Sequence, residues 1–184
     1  LEMGVMQEEE IAALREEIEK EIEQSALLAE EIPLQDPERI LEHVFKKEEK
    51  DFPQHPLERG ESVVIMDALN HAIDEEMERD QHVVVFGQDV AYGKGGVFGV
   101  TKGLTDKYGE NRCFNTPLAE STIVGTAIGL SVHSQFKPVV EIQFADYLWT
   151  GINQLFNELA SFHYRSNGEW NCPVVLRMPS GGYI

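Results

Sequence analysis

Hydrophobic positions change their spacing near residue 61, and the change divides the chain. Over residues 7–30, Ile11, Leu14, Ile18 and Ile22 recur on one helical face among Glu and Arg, predicting an amphipathic helix. Glu8, Glu9 and Glu10 fall in its first turn, where acids favour the helix dipole. Ile32-Pro33 ends it. Asp36-Pro37-Glu38 offers an N-cap and a first-turn proline, predicting a short helix through Phe45. Lys46 to Gly60 has mixed charge, two prolines and little periodicity, as a linker does.

Beyond it, short apolar runs alternate with longer segments, one-sided in their apolar positions over 64–79 and apolar over 121–134. The pattern predicts helices over 64–79, Thr101–Tyr108, 121–134 and Asp146–Tyr164. Between them it predicts strands over His82–Phe86, Arg112–Asn115, Lys137–Phe144 and Pro173–Met178. Such alternation implies an α/β domain: a mostly parallel sheet flanked by helices, following an N-terminal helical tail. The organisation expected is an acidic helical segment over 1–50, a linker over 51–60 and the α/β domain over 61–184.

Charge sharpens this division. The net charge is -18, and residues 1–51 hold 17 acids against 6 bases, whereas 52–184 hold 16 against 9. A chain so acidic is poorly suited to nucleic acid or to an anionic membrane, since phosphate binding relies on Lys and Arg. No apolar run nears the roughly 18–20 residues that span a bilayer. No signal peptide is expected either, because no basic stretch followed by an apolar one opens the chain. Cys113 and Cys172 lack CxxC spacing, so a disulfide framework is not expected. The histidines are scattered without ligand spacing, which points to no metal site. Ser180-Gly-Gly-Tyr-Ile184 reads like mid-loop sequence, so the chain is expected to be an excerpt of a longer polypeptide.

In parallel sheets ligands gather beyond the carboxyl ends of strands. Thr116-Pro-Leu-Ala-Glu120 and Gln143-Phe-Ala-Asp-Tyr147 both fall there. Glu120 stands at the mouth of a glycine-bearing helix and is open to two readings. It is an exposed first-turn acid, or a partly buried one whose apolar neighbours Ala119, Ile123 and Val124 raise its pKa. Gly125 and Gly129 lie four apart in that helix, serving either close packing or the approach of a ligand or partner chain. Gly93, Gly95 and Gly96 lack a following Gly-Lys-Ser/Thr and read as a flexible loop. His133-Ser134-Gln135, just before Lys137-Pro138, reads as a C-terminal turn.

From about Val64 onward the chain resembles the β subunit of thiamine-dependent 2-oxo acid dehydrogenases. The matching segments are Asp67-Ala-Leu-Asn70, Phe86-Gly-Gln-Asp-Val90, Gly95-Gly-Val-Phe98, Phe114-Asn-Thr-Pro-Leu-Ala-Glu120, Ile123-Val-Gly125, Glu141-Ile-Gln-Phe-Ala-Asp-Tyr147 and Tyr164-Arg-Ser166. With Asn171-Cys-Pro173, the wording is most similar to the branched-chain (2-oxoisovalerate) member, with pyruvate and acetoin relatives close behind. The front, Glu9 to Phe45, resembles the C-terminal tail of the α subunit, as in a bacterial α–β fusion.

The resemblance implies a thiamine-diphosphate (pyrimidine-type) domain, cytoplasmic in a bacterium or in the mitochondrial matrix of a eukaryote. Thiamine diphosphate would lie between α and β parts, with its magnesium held by the α part. Partners implied are that α portion, a second β domain and the lipoyl acyltransferase core. The reaction implied is oxidative decarboxylation of a 2-oxo acid, with acyl transfer to lipoyl. Glu120 matches the acid that hydrogen-bonds the pyrimidine ring nitrogen, favouring the imino tautomer that deprotonates the thiazolium carbon. Leu118 would pack by the pyrimidine, and Gln143 and Tyr147 would line the same pocket. Carbonyls near Val174 and Val175 would be the place for a structural potassium.

The departures are specific. The family often has Glu where Gln88 stands, which weakens any role for that side chain. Tyr147-Leu-Trp-Thr-Gly151 replaces an aromatic-Pro-Ala pattern. The Gly-Asp-Gly diphosphate signature is not in this chain; the β-subunit His-Ser-Gln motif is expected after Ile184, and His133-Ser134-Gln135 is in the wrong place to supply it. A non-catalytic assembly module, docking a partner through its acidic helix, is the alternative from another class.

Overall fold

The computed structural model describes residues 6–46, 60, 62–133 and 135–181, without the His133 side chain. Most of the expected linker, Ser134 and the last three residues lie outside these. The described chain divides into two units, Leu1–Leu41 and Glu42–Ile184.

The first unit holds α1 (Glu8–Glu31), one residue later at each end than its pattern predicted. Gln7 closes a capping box with Glu10, and its backbone N–H donates to Glu10 Oε2 at 2.7 Å. No residue of α1 is buried. A single 3₁₀ turn, Pro37–Leu41, replaces the helix expected through Phe45. Asp36 caps it by accepting the Glu38 N–H at 3.0 Å. His43, at φ 60°, cannot continue a right-handed helix.

The second unit is built on four parallel strands in the order β2-β1-β3-β4: β1 (Val83–Gly87), β2 (Cys113–Asn115), β3 (Lys137–Glu141) and β4 (Val175–Arg177). Every residue of β1 is buried, as a central parallel strand covered on both faces must be. Side chains alternate across it. Val84 and Phe86 pack with Ile123 and Ala127 of α4 (Glu120–His133), together with Val140 and Ile142. Val83 and Val85 face the other way, onto Met77 of α2 (Ile65–Arg79) and Leu104 of α3 (Leu104–Tyr108). Arg112 ties that second layer down, donating to the carbonyls of Met77, Asp80 and Val83 at 2.9 Å each.

Register aligns Asn115, Gly87, Glu141 and Arg177 in one row at the carboxyl edge of the sheet. Gly87 must lack a side chain, because a Cβ there would strike the Glu141 backbone carbonyl.

β4 covers only Val175–Arg177 of the expected Pro173–Met178, and three further elements of this unit came out differently for a local reason. α3 begins at Leu104 rather than Thr101, because Gly103 adopts φ 83° and interrupts the turn before it. Gly109, also at φ 83°, closes that helix as expected, donating to the Thr105 carbonyl at 2.8 Å. β3 stops at Glu141 rather than Phe144, because the Gln143 N–H leaves the strand ladder for a side chain, Gln88 Oε1.

The long helix expected over Asp146–Tyr164 is instead a 3₁₀ segment (Ala145–Gly151), a π turn (Gln154–Leu159) and α5 (Phe162–Arg165). Gly151 packs against the Glu120 backbone, where an added Cβ would sit 3.1 Å from the Glu120 carbonyl carbon. The hydroxyls of Ser121 and Ser161 take the carbonyls of Thr150 and Asn157. Side-chain donors that occupy helix carbonyls shift the ladder out of its i→i+4 register.

Candidate functional site

Glu120 is the first residue of α4, and its carboxylate meets Gln88 at the end of β1 and Thr150 of the 3₁₀ segment. Gln88 follows β1 directly and is 1% exposed. Its backbone N–H donates to the Glu141 carbonyl (3.2 Å), and its side-chain Nε2 donates to Glu120 Oε1 at 2.7 Å. The same amide accepts, at Oε1, the Gln143 N–H at 2.9 Å. On the other side the Thr150 hydroxyl, in the 3₁₀ segment, lies 2.7 Å from Glu120 Oε2 and 3.0 Å from the Tyr147 carbonyl.

These donors hold the Glu120 carboxyl below its ordinary pKa, Thr150 foremost and Gln88 next, against an opposing push from burial. This overturns the second sequence reading of Glu120, in which apolar neighbours raise the pKa. The group is partly buried, but its nearest polar neighbours are donors, and hydrogen bonds to the charged form outweigh modest desolvation.

Gln143 reaches Asp89 as well, with Nε2 3.2 Å from Oδ2, while Lys94 Nζ meets Asp89 Oδ1 at 3.0 Å. Asp89 and Tyr92 both have φ 59°, so the loop after β1 holds two non-glycine residues in the left-handed region. Asn115, at the end of β2, accepts the Ala91 N–H at 2.9 Å.

The glycine segment that reads as a flexible loop is bonded into this rim. Gly96 N–H donates to the Asp89 carbonyl at 2.8 Å, and Val97 N–H donates to Glu141 Oε1 at 3.0 Å. Gly95 and Gly96 have φ 66° and 72°. A Cβ at Gly96 would sit 2.9 Å from Glu141 Oε2. Gly96 lets backbone approach a buried carboxylate and Gly95 lets it pass close to Lys102, with no phosphate cradle implied.

Of the four residues singled out from sequence, Glu120 and Gln143 are joined through Gln88. Tyr147 reaches the cluster through its carbonyl at Thr150, and its ring meets Phe144 edge-on at 5.6 Å. Tyr147 is half exposed and Leu118, two residues before α4, is 74% exposed. Gly129 is also open, with no atom within 4 Å of an added Cβ, whereas Gly125 faces Gln154 at 3.9 Å.

Sequence reasoning missed Gln88 and Thr150. Gln88 was readable as the first polar residue beyond an all-apolar strand. Its departure from the family's Glu argued against a role, yet it is the hub of the cluster. Thr150 carried no signal, because a helix through that position would not present its hydroxyl to Glu120. Among the described residues no group of three or more His, Cys, Asp or Glu side chains is placed to hold a metal ion. Nor, among them, is any helix long and apolar enough to cross a membrane.

Residues 61–184 match the model of the transketolase pyrimidine-binding domain. The chain belongs to this family. A transketolase-type pyrimidine-binding domain accounts for the parallel sheet with its flanking helices. The chain is 50% identical over 119 residues to the 2-oxoisovalerate dehydrogenase subunit beta of Bacillus subtilis, covering 65% of this chain and 36% of that one. It is 47% identical over 122 residues to the pyruvate dehydrogenase E1 component subunit beta of Acholeplasma laidlawii, covering 66% and 37%. With the Pseudomonas aeruginosa 2-oxoisovalerate dehydrogenase subunit beta it shares 48% over 133 residues, covering 72% and 37%. The chain thus spans a little over a third of the length of these relatives.

Proposed function

We propose that this chain forms the pyrimidine-holding side of a thiamine-diphosphate site in the β component of a decarboxylating 2-oxo acid dehydrogenase. The observation that carries the reading is the Glu120 carboxylate, fixed by Gln88 and Thr150 at 2.7 Å each beyond the strand ends. An ionised carboxylate has about four acceptor sites. Gln88 and Thr150 occupy two of them, so Glu120 retains capacity for an N–H from a ring nitrogen, and the residues fit the group.

In this reading Glu120 holds a proton at the pyrimidine ring nitrogen. Gln143 braces the strand end beside it, while Leu118 and Tyr147 give the heterocycle an apolar wall. The cofactor, when bound, supplies the electron sink for decarboxylation. The diphosphate and its magnesium fall to an α portion, with the acyl product passed to a lipoyl acyltransferase core. The acidic helix of residues 8–31 fits the tail of such an α portion in a fused polypeptide.

2-Oxoisovalerate is the substrate we favour, on the likeness to the Bacillus and Pseudomonas proteins. Pyruvate is the alternative on the Acholeplasma likeness. Relative kcat/KM of the assembled enzyme on 2-oxoisovalerate, pyruvate and acetoin decides between them. For the site itself the test is Glu120→Gln in the assembled enzyme. Decarboxylation should fall about 10²–10³-fold, the scale of a lost acid–base group, with the fold retained by circular dichroism. Turnover within a few-fold of the parent would overturn the assignment.

A further inference from the structure

Gln88 occupies an unusual position for an uncharged residue: buried at 1% exposure, with a hydrogen-bonded partner at each end of its amide. One partner, the Gln143 backbone N–H, can only donate. The amide oxygen must therefore face Gln143, and the NH₂ group must face Glu120. The orientation is dictated by the chemistry of the neighbour and has no alternative flip that keeps both bonds. The backbone N–H of Gln88 is tied to the Glu141 carbonyl as well, so β3 holds the residue at both its main chain and its side chain.

Thr150 differs in kind. A hydroxyl can rotate and accept a hydrogen bond from a protonated acid as readily as it donates to a carboxylate. The Gln88 NH₂ group can only donate. Of the two contacts on Glu120, the Gln88 contact is the one that cannot take up the acid's proton: it forbids protonation at Oε1 and is stronger to the carboxylate than to the neutral acid.

We propose that Gln88 is a positioning residue that presents only donors to Glu120, holding it as a carboxylate with one fixed aim. The functional part of this proposal rests on the thiamine-diphosphate reading, whereas the part concerning Glu120 itself does not. The charged groups around the contact leave that role to Gln88. Asp89, next along the chain, is engaged by Lys94 and by Gln143. Glu141 on β3 directs its carboxylate to Arg177 and Val97. On the 3₁₀ segment Asp146 and Tyr147 are exposed.

Replacing the amide by an acid reverses the logic. In Gln88→Glu one carboxyl oxygen keeps the Gln143 N–H. The other takes the place of Nε2, about 2.7 Å from Glu120 Oε1. Two carboxylates at that separation share a proton, and the pair then titrates in two steps with one raised sharply. Gln88→Met keeps the length and removes the donor without adding charge.

The experiment is ¹³C NMR titration of glutamate-labelled, cofactor-free assembled enzyme, with the Glu120 carboxyl signal identified by its loss in Glu120→Gln. The midpoint should lie lowest in the parent, higher in Gln88→Met, and highest in Gln88→Glu, there by about one pH unit or more. The acid limb of kcat/KM should move upward in the same order. Equal midpoints in the three proteins, or a Gln88→Met midpoint above that of Gln88→Glu, would overturn the proposal. Should one variant fail to fold, the other against the parent still decides it.

The two readings separate cleanly. Ordered midpoints with normal turnover in Glu120→Gln support the role of Gln88 and sink the cofactor reading. Unmoved midpoints with turnover abolished in Glu120→Gln do the reverse.

Discussion

Glu141 of β3 and Arg177 of β4 stand in register and form a buried ion pair, with Arg177 Nε 3.0 Å from Glu141 Oε2. The Glu141 side chain is 2% exposed and that of Arg177 16%. Oε1 of the same carboxylate accepts the Val97 N–H, so the pair joins two strands to the glycine loop that frames the site. Burial pushes the Glu141 carboxyl up, while Val97 and Arg177 draw it back down. The Arg177 guanidinium is pushed down by the same burial.

Arg177→Leu strands a carboxylate in the sheet and should cost about 3–5 kcal/mol, the scale for breaking a buried pair from one side. The sign of its pH dependence follows from the raised pKa. A native state that binds this proton more tightly than the unfolded chain loses stability as pH rises through the folded pKa. In the variant that pKa rises further, so the deficit should shrink as pH falls toward the ordinary glutamate range. Urea melts of parent and variant at several pH values check this. A deficit that grows on acidification would contradict it.

Asp80 gives the opposite slope. Lys137 first, and then the His82 backbone N–H, hold its carboxyl well below the usual range. A depressed pKa stabilises the fold above the unfolded value and is lost as pH falls through the folded one. Asp80→Asn should therefore lower Tm at neutral pH, with the gap closing below about pH 4. A gap of constant size across the acid range would show that the contact does not titrate with folding.

Thr150→Val preserves shape and removes the donor to Glu120 Oε2. One hydrogen bond to a charged group is worth about 1.5–3 kcal/mol. If that bond serves the reaction, kcat/KM for decarboxylation should fall by roughly tenfold or more. The carboxyl signal of Glu120 should also titrate at higher pH. An unchanged kcat/KM would mean that Oε2 needs no donor.

Legibility along this chain followed the range of the interactions. β1 was readable because five consecutive buried positions leave an apolar, β-branched run. α1 and α2 were readable from helical spacing and α4 as an apolar run, and Gly109 closed α3 where a left-handed residue was expected. The longest element that failed was the helix over 146–164. Contacts with α4 redirect its carbonyls: Gly151 packs on the Glu120 backbone, and the Ser121 hydroxyl, 29 residues away in sequence, takes the Thr150 carbonyl.

For the site, the sequence by itself determined that Glu120 and Gln143 lie beyond strand ends, because alternation of strands and helices dictates a parallel sheet. It did not determine the protonation of Glu120. Apolar neighbours in sequence argued for a raised pKa, whereas donors from residues 88 and 150 lower it. Those donors are 32 and 30 residues away. Local sequence specifies which groups a helix start carries; only the packing of β1 and the 3₁₀ segment against α4 decides which dipoles point at them. Electrostatics at a site is set by distance in space, and that is what the tertiary structure supplied.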